Sequence, residues 1–267
     1  MNQVGDAGIS VLGVASSLLL IAIAIAISWR RQLGLERSIA WAATRATVQL
    51  SVVGFGLALV FADDAPIAWS WAWVTAMVVV GGATVARRVP SVPGLFVLTC
   101  GALGVAVSVS LGVVFGFGIF PIEARTIVPV AGMLLGNAIG STVLAARRTL
   151  VEVDEHRDQV EVRLSLGQPG VAAVRPQVRE ALRTAVTPQI EQTKVVGLIS
   201  LPGTMTGLLL AGVSPQDAVL VQLAVMFLIL GSVAITTVII GPGVAYRLIT
   251  SDQRLVLPDE DQPQAAA

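Results

Sequence analysis

The chain has one histidine (His156), one cysteine (Cys100) and one lysine (Lys194), and only 13% of its 267 residues are charged. Each shortage excludes a chemistry. A structural zinc site needs about four converging Cys, His or carboxylate ligands, which one His and one distant Cys cannot supply. The lone thiol forms no internal disulfide, and within the apolar run GLFVLTCGALGVAVSVS it reads as a small hydrophobe. Lys194 follows EQT, so the chain holds no G-x-x-x-x-G-K-[ST] phosphate loop, and any ATP it depends on is used by a partner. His156, in the polar run VDEHRDQ, reads as a solvated surface residue. No Asp or Glu lies deep in any apolar run, which removes paired-carboxylate catalysis and disfavours a carrier driven by protons or sodium. The formal net charge is zero, so electrostatics give no case for nucleic acid. The chain therefore reads as no enzyme, with no cofactor of its own and no metal site that the sequence can locate.

What is abundant is apolar length. Hydrophobic residues make up 55% of the chain, and the mean hydropathy is +0.82. A spanning helix needs about 20 mostly apolar residues, because backbone groups left unpaired in hydrocarbon cost several kcal/mol each. Seven segments qualify, at 9–28, 39–61, 67–86, 94–118, 126–146, 195–212 and 217–246. The expected fold is an all-α polytopic membrane protein with about seven transmembrane helices, embedded in the lipid bilayer. The first segment is an anchor and not a cleaved signal, since its leading residues carry Asp6 and no positive charge, and WRRQ follows it.

Assigning the loops alternately separates the basic residues. One side collects Arg30, Arg31, Arg37, Arg87, Arg88, Arg147, Arg148, Arg247 and Arg254, and the other holds Arg125 beside Asp63, Asp64, Glu123 and Asp217. Because Lys/Arg bias in short loops sets orientation, the amino terminus is expected outside and the carboxyl terminus in the cytoplasm. Residues 251–267, SDQRLVLPDEDQPQAAA, read as a short disordered cytosolic tail.

A polar stretch at 147–194 separates spans five and six and is too long for a simple turn. Its first part, ending at Gly167, reads as a helix that continues span five. Val178, Ala181, Leu182 and Ala185 recur at helical spacing, so a short amphipathic helix is expected there, with Pro176 in its first turn. In TPQIEQTK, Thr187 suits a cap and Pro188 a first helical position, which predicts a new helix running into span six.

Two motifs interrupt the spans. In the fifth, Pro129, Gly132, Gly136 and Asn137 lie close together; Gly132 and Gly136 form a small-x-x-x-small face. Either this is helix-packing chemistry, or Asn137 and the neighbouring Met133 line a pathway. In the sixth, SLPGTMTG places Pro202, Gly203 and Gly207 among Ser200, Thr204, Met205 and Thr206. Such a break is tolerated where protein or a watery cavity covers it, so it is a hinge or part of a lining.

The run VPVAGMLLGNAIGSTVLAARR, followed by REALRTAVTPQIEQTKVVGLISLPGTMTGLLLAGVSPQDAVLVQLAVMF, resembles the permease subunits of the FetB type. These are bacterial ABC transporter components linked to iron export, with plant relatives linked to aluminium tolerance. The likeness covers roughly 9–250 and is densest from Pro129 to Gln222. It implies a multi-pass permease domain at 1–250 in the bacterial cytoplasmic membrane, with 147–194 as a cytosolic coupling loop. It also implies a cytosolic ABC ATPase as partner, a second copy of the chain, and export of a metal ion or metal complex. An organic solute, or a role relaying motion without transport, remains the alternative. Under this resemblance Met133, Asn137, Met205, Thr206 and Gln222 are pathway candidates, while Pro202 and Gly203 form the hinge. Glu161, Gly167, Arg179, Arg183 and Pro188 are the candidates for contact with the ATPase; the spacing of Glu161 and Gly167 is similar to that in the coupling loop of ABC importers. Leu208 after Gly207 and Val221 before Gln222 depart from the expected pattern, which leaves cargo identity open.

Overall fold

The computed structural model describes residues 11–62, 64–197, 201–250 and 252–257. The amino-terminal lead with Asp6, and also Asp63, Ser200 and 258–267, lie outside the described residues. Helices dominate, as the apolar runs require. They are α1 (Val11–Arg30), α2 (Glu36–Val60), α3 (Ala68–Arg88), α4 (Leu95–Gly116), α5 (Ala124–Glu155), α6 (Arg157–Ser165), α7 (Gly170–Ala173), α8 (Arg175–Val195), α9 (Gly203–Leu210) and α10 (Pro215–Arg247). Among the described residues, α2, α3, α4, α5 and α10 are long and apolar enough to cross a bilayer, and Ser16–Arg30 adds a shorter apolar helix.

Two compact units divide the chain, Met1–Ala65 and Pro66–Ala267. The first is a helical hairpin. Ser28 closes its turn by donating to Glu36 Oε1 at 2.7 Å and accepting from the Leu35 N–H at 3.1 Å. Leu20, Leu50 and Phe55 are exposed along its helices, as befits a surface solvated by lipid.

In the second unit α5 and α10 form the spine. At ~1.5 Å per residue they run roughly 48 and 50 Å, so each outreaches a hydrocarbon core of ~30 Å and projects past it. Three clusters stack along them. The first gathers Leu103, Val107, Val130, Ala131, Leu134 and Val233; the second Val85, Leu95, Ala102, Ala145, Ile240 and Val244; the third Val153, Val160, Val174, Val178, Ala245 and Leu248. Arg147 donates to the Arg88 carbonyl at 2.7 Å, which ties the basic ends of α3 and α5 together.

The polar stretch after span five is a folded body. The helix expected to continue span five is present, offset at His156 between α5 and α6, and Gly167 ends it with a left-handed φ of 80°. Arg163 staples α6 to its neighbours, donating to the Ala173 carbonyl at 2.8 Å and to Gln177 Oε1 at 3.1 Å.

Span six departs from the sequence reading. Pro188 does not start a helix: it sits inside a continuous α8. An interior proline costs roughly 3 kcal/mol in an isolated helix, but Val178, Ala181 and Ala185 are buried along α8 and hold it straight through that point. Thr187, expected as a cap, instead donates to the Arg183 carbonyl at 2.7 Å. Nor does α8 run on into 195–212. It stops at Val195, where Val196 turns extended and Gly197 takes a φ of 84°. The chain resumes as α9, whose eight residues reach only ~12 Å. Pro202 therefore precedes α9 in extended conformation and kinks no helix. Leu182 lies against Gly241, near the Arg247 end of α10, while Val186, like Met133, Leu228 and Ile229, packs against the first cluster. Thus α8 climbs along α10, and its upper part belongs to the bundle.

Residues 252–257, assigned by composition to a disordered tail, are folded back. The Val256 N–H donates to the Leu248 carbonyl at 2.8 Å, and that of Thr250 to the Arg254 carbonyl at 2.9 Å. Leu255 is buried with Val160 and Val174. Composition gave little weight to Leu255 and Leu257, whose side chains complete the third cluster. The strap is held by the Gly170 N–H, which donates to Gln253 Oε1 at 2.6 Å. A Cβ at Gly170 would stand 2.7 Å from Ile249 Cγ2, so only glycine fits. Gly170→Val should lift the strap at a cost of about 1–3 kcal/mol, since overpacking of this kind costs that much. Limited proteolysis with mass mapping should then find cuts near 252–257 that the parent chain resists; identical digests would show that Gly170 does not seat the strap.

Candidate functional site

A cleft of about 240 Å³ opens where α5, α8, α9 and α10 meet. From α5 come Met133 and Asn137, and from α10 Gln222, Val225, Met226 and Ile229. The upper part of α8 supplies Gln189, Gln192 and Thr193, and the break contributes Val196, Pro202, Gly203 and Thr204. Measured along α5 at ~1.5 Å per residue, Met133 and Asn137 lie roughly 14 and 20 Å from the Ala124 end, and Arg147 about 15 Å beyond Asn137. This is the middle of the apolar stretch, where composite and broken helices line polar sites in transport proteins.

Local hydrogen bonds fix the lining. Asn137 Nδ2 donates to the Met133 carbonyl at 2.8 Å, which spends the amide nitrogen on its own helix. Thr204 Oγ1 donates to Met133 Sδ at 3.4 Å and joins α9 to α5. Gln222 is buried, at 5% exposure, and its Oε1 has no hydrogen-bond partner among the described residues. A buried acceptor left unpaired costs about 1–3 kcal/mol, so such a group calls for an explanation. Among the described residues, no charged side chain lines the cleft.

The structure brings together Met133, Asn137 and Gln222 of the expected pathway residues, with Pro202 and Gly203 of the expected hinge. It does not bring Met205 or Thr206 into the cleft; Thr206 is exposed and its hydroxyl donates to the Pro202 carbonyl at 3.2 Å. Pro129 and Gly136 are exposed on α5, whereas Gly132 faces α3, where an added Cβ would stand 3.0 Å from Met77 Cε. Gly207 lies exposed on α9. The sequence reading missed Gln189, Gln192, Thr193 and Met226. The signal was available: 189, 192 and 193 share one helical face at i, i+3 and i+4, and Met226 stands one turn beyond Gln222.

Of the residues expected at the ATPase contact, Glu161, Gly167, Arg179 and Arg183 are exposed on the folded loop and α8. Glu161 pairs with Arg157 at 2.8 Å, and this bond and charge raise the Arg157 pKa. Arg183 pairs with Glu180 at 3.4 Å. Pro188 lies apart from that loop, one residue before Gln189 of the cleft.

Apolar helices packed around a neutral polar cleft at mid-length define a polytopic helical membrane protein. Within that class the chain belongs to the uncharacterised protein family UPF0014, whose pattern matches residues 11–249. It is 35% identical over 231 residues to the UPF0014 membrane protein STAR2 of Oryza sativa subsp. japonica, covering 86% of this chain and 81% of the relative. To Protein ALUMINUM SENSITIVE 3 of Arabidopsis thaliana it is 32% identical over 225 residues, or 84% and 82% of the two chains. The probable iron export permease protein FetB of Escherichia coli (strain K12) is 31% identical over 235 residues, or 85% and 87%. No solved structure matches the chain.

Proposed function

We propose that this chain is the membrane-spanning subunit of an ABC transporter, and that it works as a homodimer to move a metal ion or metal complex outward, powered by a separate cytosolic ATPase. The observation that carries this reading is the path of α8. One end of that helix packs in the folded polar loop through Val174 and Val178, and the other lines the cleft through Gln189 and Thr193. A rigid helix joins the two, so a push on the loop reaches the cleft. The break after Val195 is where the lining can change without unwinding a long helix. Switching such a site from 1:99 to 99:1 takes about 5.5 kcal/mol of differential binding, which is the reason to invoke a motor subunit. The family resemblance and the printed name of the Escherichia coli relative supply iron as the first cargo to test.

The test is ATP hydrolysis by the chain and its candidate ATPase, co-purified in lipid nanodiscs, with and without Fe²⁺. Hydrolysis should rise with Fe²⁺, and Asn137→Ala should remove most of that rise while leaving the basal rate. Basal hydrolysis indifferent to Fe²⁺ in both proteins would count against iron, and failure of any ATPase to co-purify would sink the ABC reading.

A further inference from the structure

Among the described residues, the cleft is lined by amides, hydroxyls and thioethers, none of which carries a formal charge. Asn137 has committed its amide nitrogen to the Met133 carbonyl, and Thr204 has committed its proton to the Met133 sulfur. Gln222 Oε1 is buried without a partner. Met226 adds a second thioether, and among the described residues no Asp, Glu, Lys, Arg or His shares the lining.

An anion would meet amide N–H groups but no formal positive charge here, whereas the thioethers and amide oxygens are ligands for a cation. A bare hard cation is poorly served too. Such ions take six or more oxygens with carboxylates among them, and the desolvation they suffer at membrane depth needs opposite charge nearby. Thioethers shift the preference toward soft ions, and amide carbonyls extend it to borderline ones. The volume, about 240 Å³, is several times the ~30 Å³ share of one water, so the ion can keep part of its hydration.

We propose that the cleft selects low-valent, soft-to-borderline metal cations, with the thioethers of Met133 and Met226 as sulfur ligands and Gln222 Oε1 as an oxygen ligand. This rests on reading the cleft as the cargo site of a metal permease, and it specifies the class of that cargo. Silver(I) is the probe, being soft and monovalent. Cys100 lies between α3 and α4, away from the cleft, but its thiol would bind silver, so Cys100→Ser is the background.

Titration of this full-length chain in nanodiscs, without ATPase or nucleotide, should show one Ag⁺ site. Cd²⁺, soft and without redox chemistry toward silver, should compete for the site, and Ca²⁺ in large excess should not. Met133→Leu with Met226→Leu, which keeps volume and so the fold, should weaken binding at least tenfold, and Gln222→Leu should weaken it severalfold. Binding unchanged in the methionine variant, competition by Ca²⁺ as effective as by Cd²⁺, or no site at all would each overturn the proposal. Because no ATPase is present, these outcomes are independent of the hydrolysis test: silver binding with no ATPase partner would leave the selectivity standing and remove the ABC reading.

Discussion

Gly241→Leu should disturb the seating of α8 against α10 and lower the midpoint of thermal unfolding by several degrees. A Cβ at that position would lie 2.8 Å from Leu182 Cδ2 and 3.3 Å from Val178 Cγ1, and leucine adds three more carbons in the same direction. Overpacking a closed contact typically costs about 1–3 kcal/mol, more where neither side can yield. Here Val178 is pinned among Val160, Val174 and Ala245, while Leu182 packs into the second cluster. Gly241→Ala should be far milder, since Leu182 Cδ2 is the end of a side chain that can rotate away. The decisive measurement is thermal unfolding of Gly241→Leu alone and with Leu182→Ala, which reopens the space. Recovery of most of the loss in the double variant would locate the clash in that pair, as coupling energies do for residues in contact. A wild-type midpoint for Gly241→Leu would mean that α8 does not lie along α10.

That contact also explains how far the fold was legible beforehand. Spans two to five and seven announce themselves by apolar length alone, and their predicted limits match α2, α3, α4, α5 and α10 closely except at the Glu155 end of α5. The sixth could not be read this way. Gln189, Gln192 and Thr193 carry enough polarity to move the upper part of α8 into the cytosolic loop by hydropathy, yet they lie in the bundle because they face a polar cleft. Pro188 looked like a boundary because propensity is local, whereas Ala181 and Ala185, wholly buried, hold the helix through it. The end at Gly197 was visible in principle: Lys194 sits in the last turn and a left-handed glycine follows.

The site was half legible for a related reason. Met133, Asn137 and Gln222 stand out because polar or sulfur-bearing groups in long apolar helices are conspicuous. Met205 and Thr206 stood in the same motif as Thr204 and could not be separated from it without knowing where α9 begins. With its start at Gly203, the helical period of ~100° per residue turns 204 into the cleft and carries 206 away from it.

Gln222→Leu should make the protein more stable while abolishing its response to cargo. In the parent chain a buried amide oxygen forgoes its hydrogen bond, a penalty of about 1–3 kcal/mol that an apolar side chain of similar size removes. Nothing in the packing compels an amide there: the neighbouring Val225 and Met226 are apolar, and α10 carries leucine and valine throughout its length. A stabilising replacement at a position occupied by a destabilising group is the pattern expected where function opposes stability. Ser70 provides the contrast. Its Oγ is the other buried side-chain oxygen without a partner among the described residues, and it is not among the cleft residues. Ser70→Ala should therefore raise the unfolding midpoint and leave cargo-stimulated hydrolysis unchanged, whereas Gln222→Leu should raise the midpoint and remove the stimulation. If Gln222→Leu instead lowers the midpoint, the amide has a structural partner in the membrane, and the unpaired oxygen is no longer a reason to place cargo in the cleft.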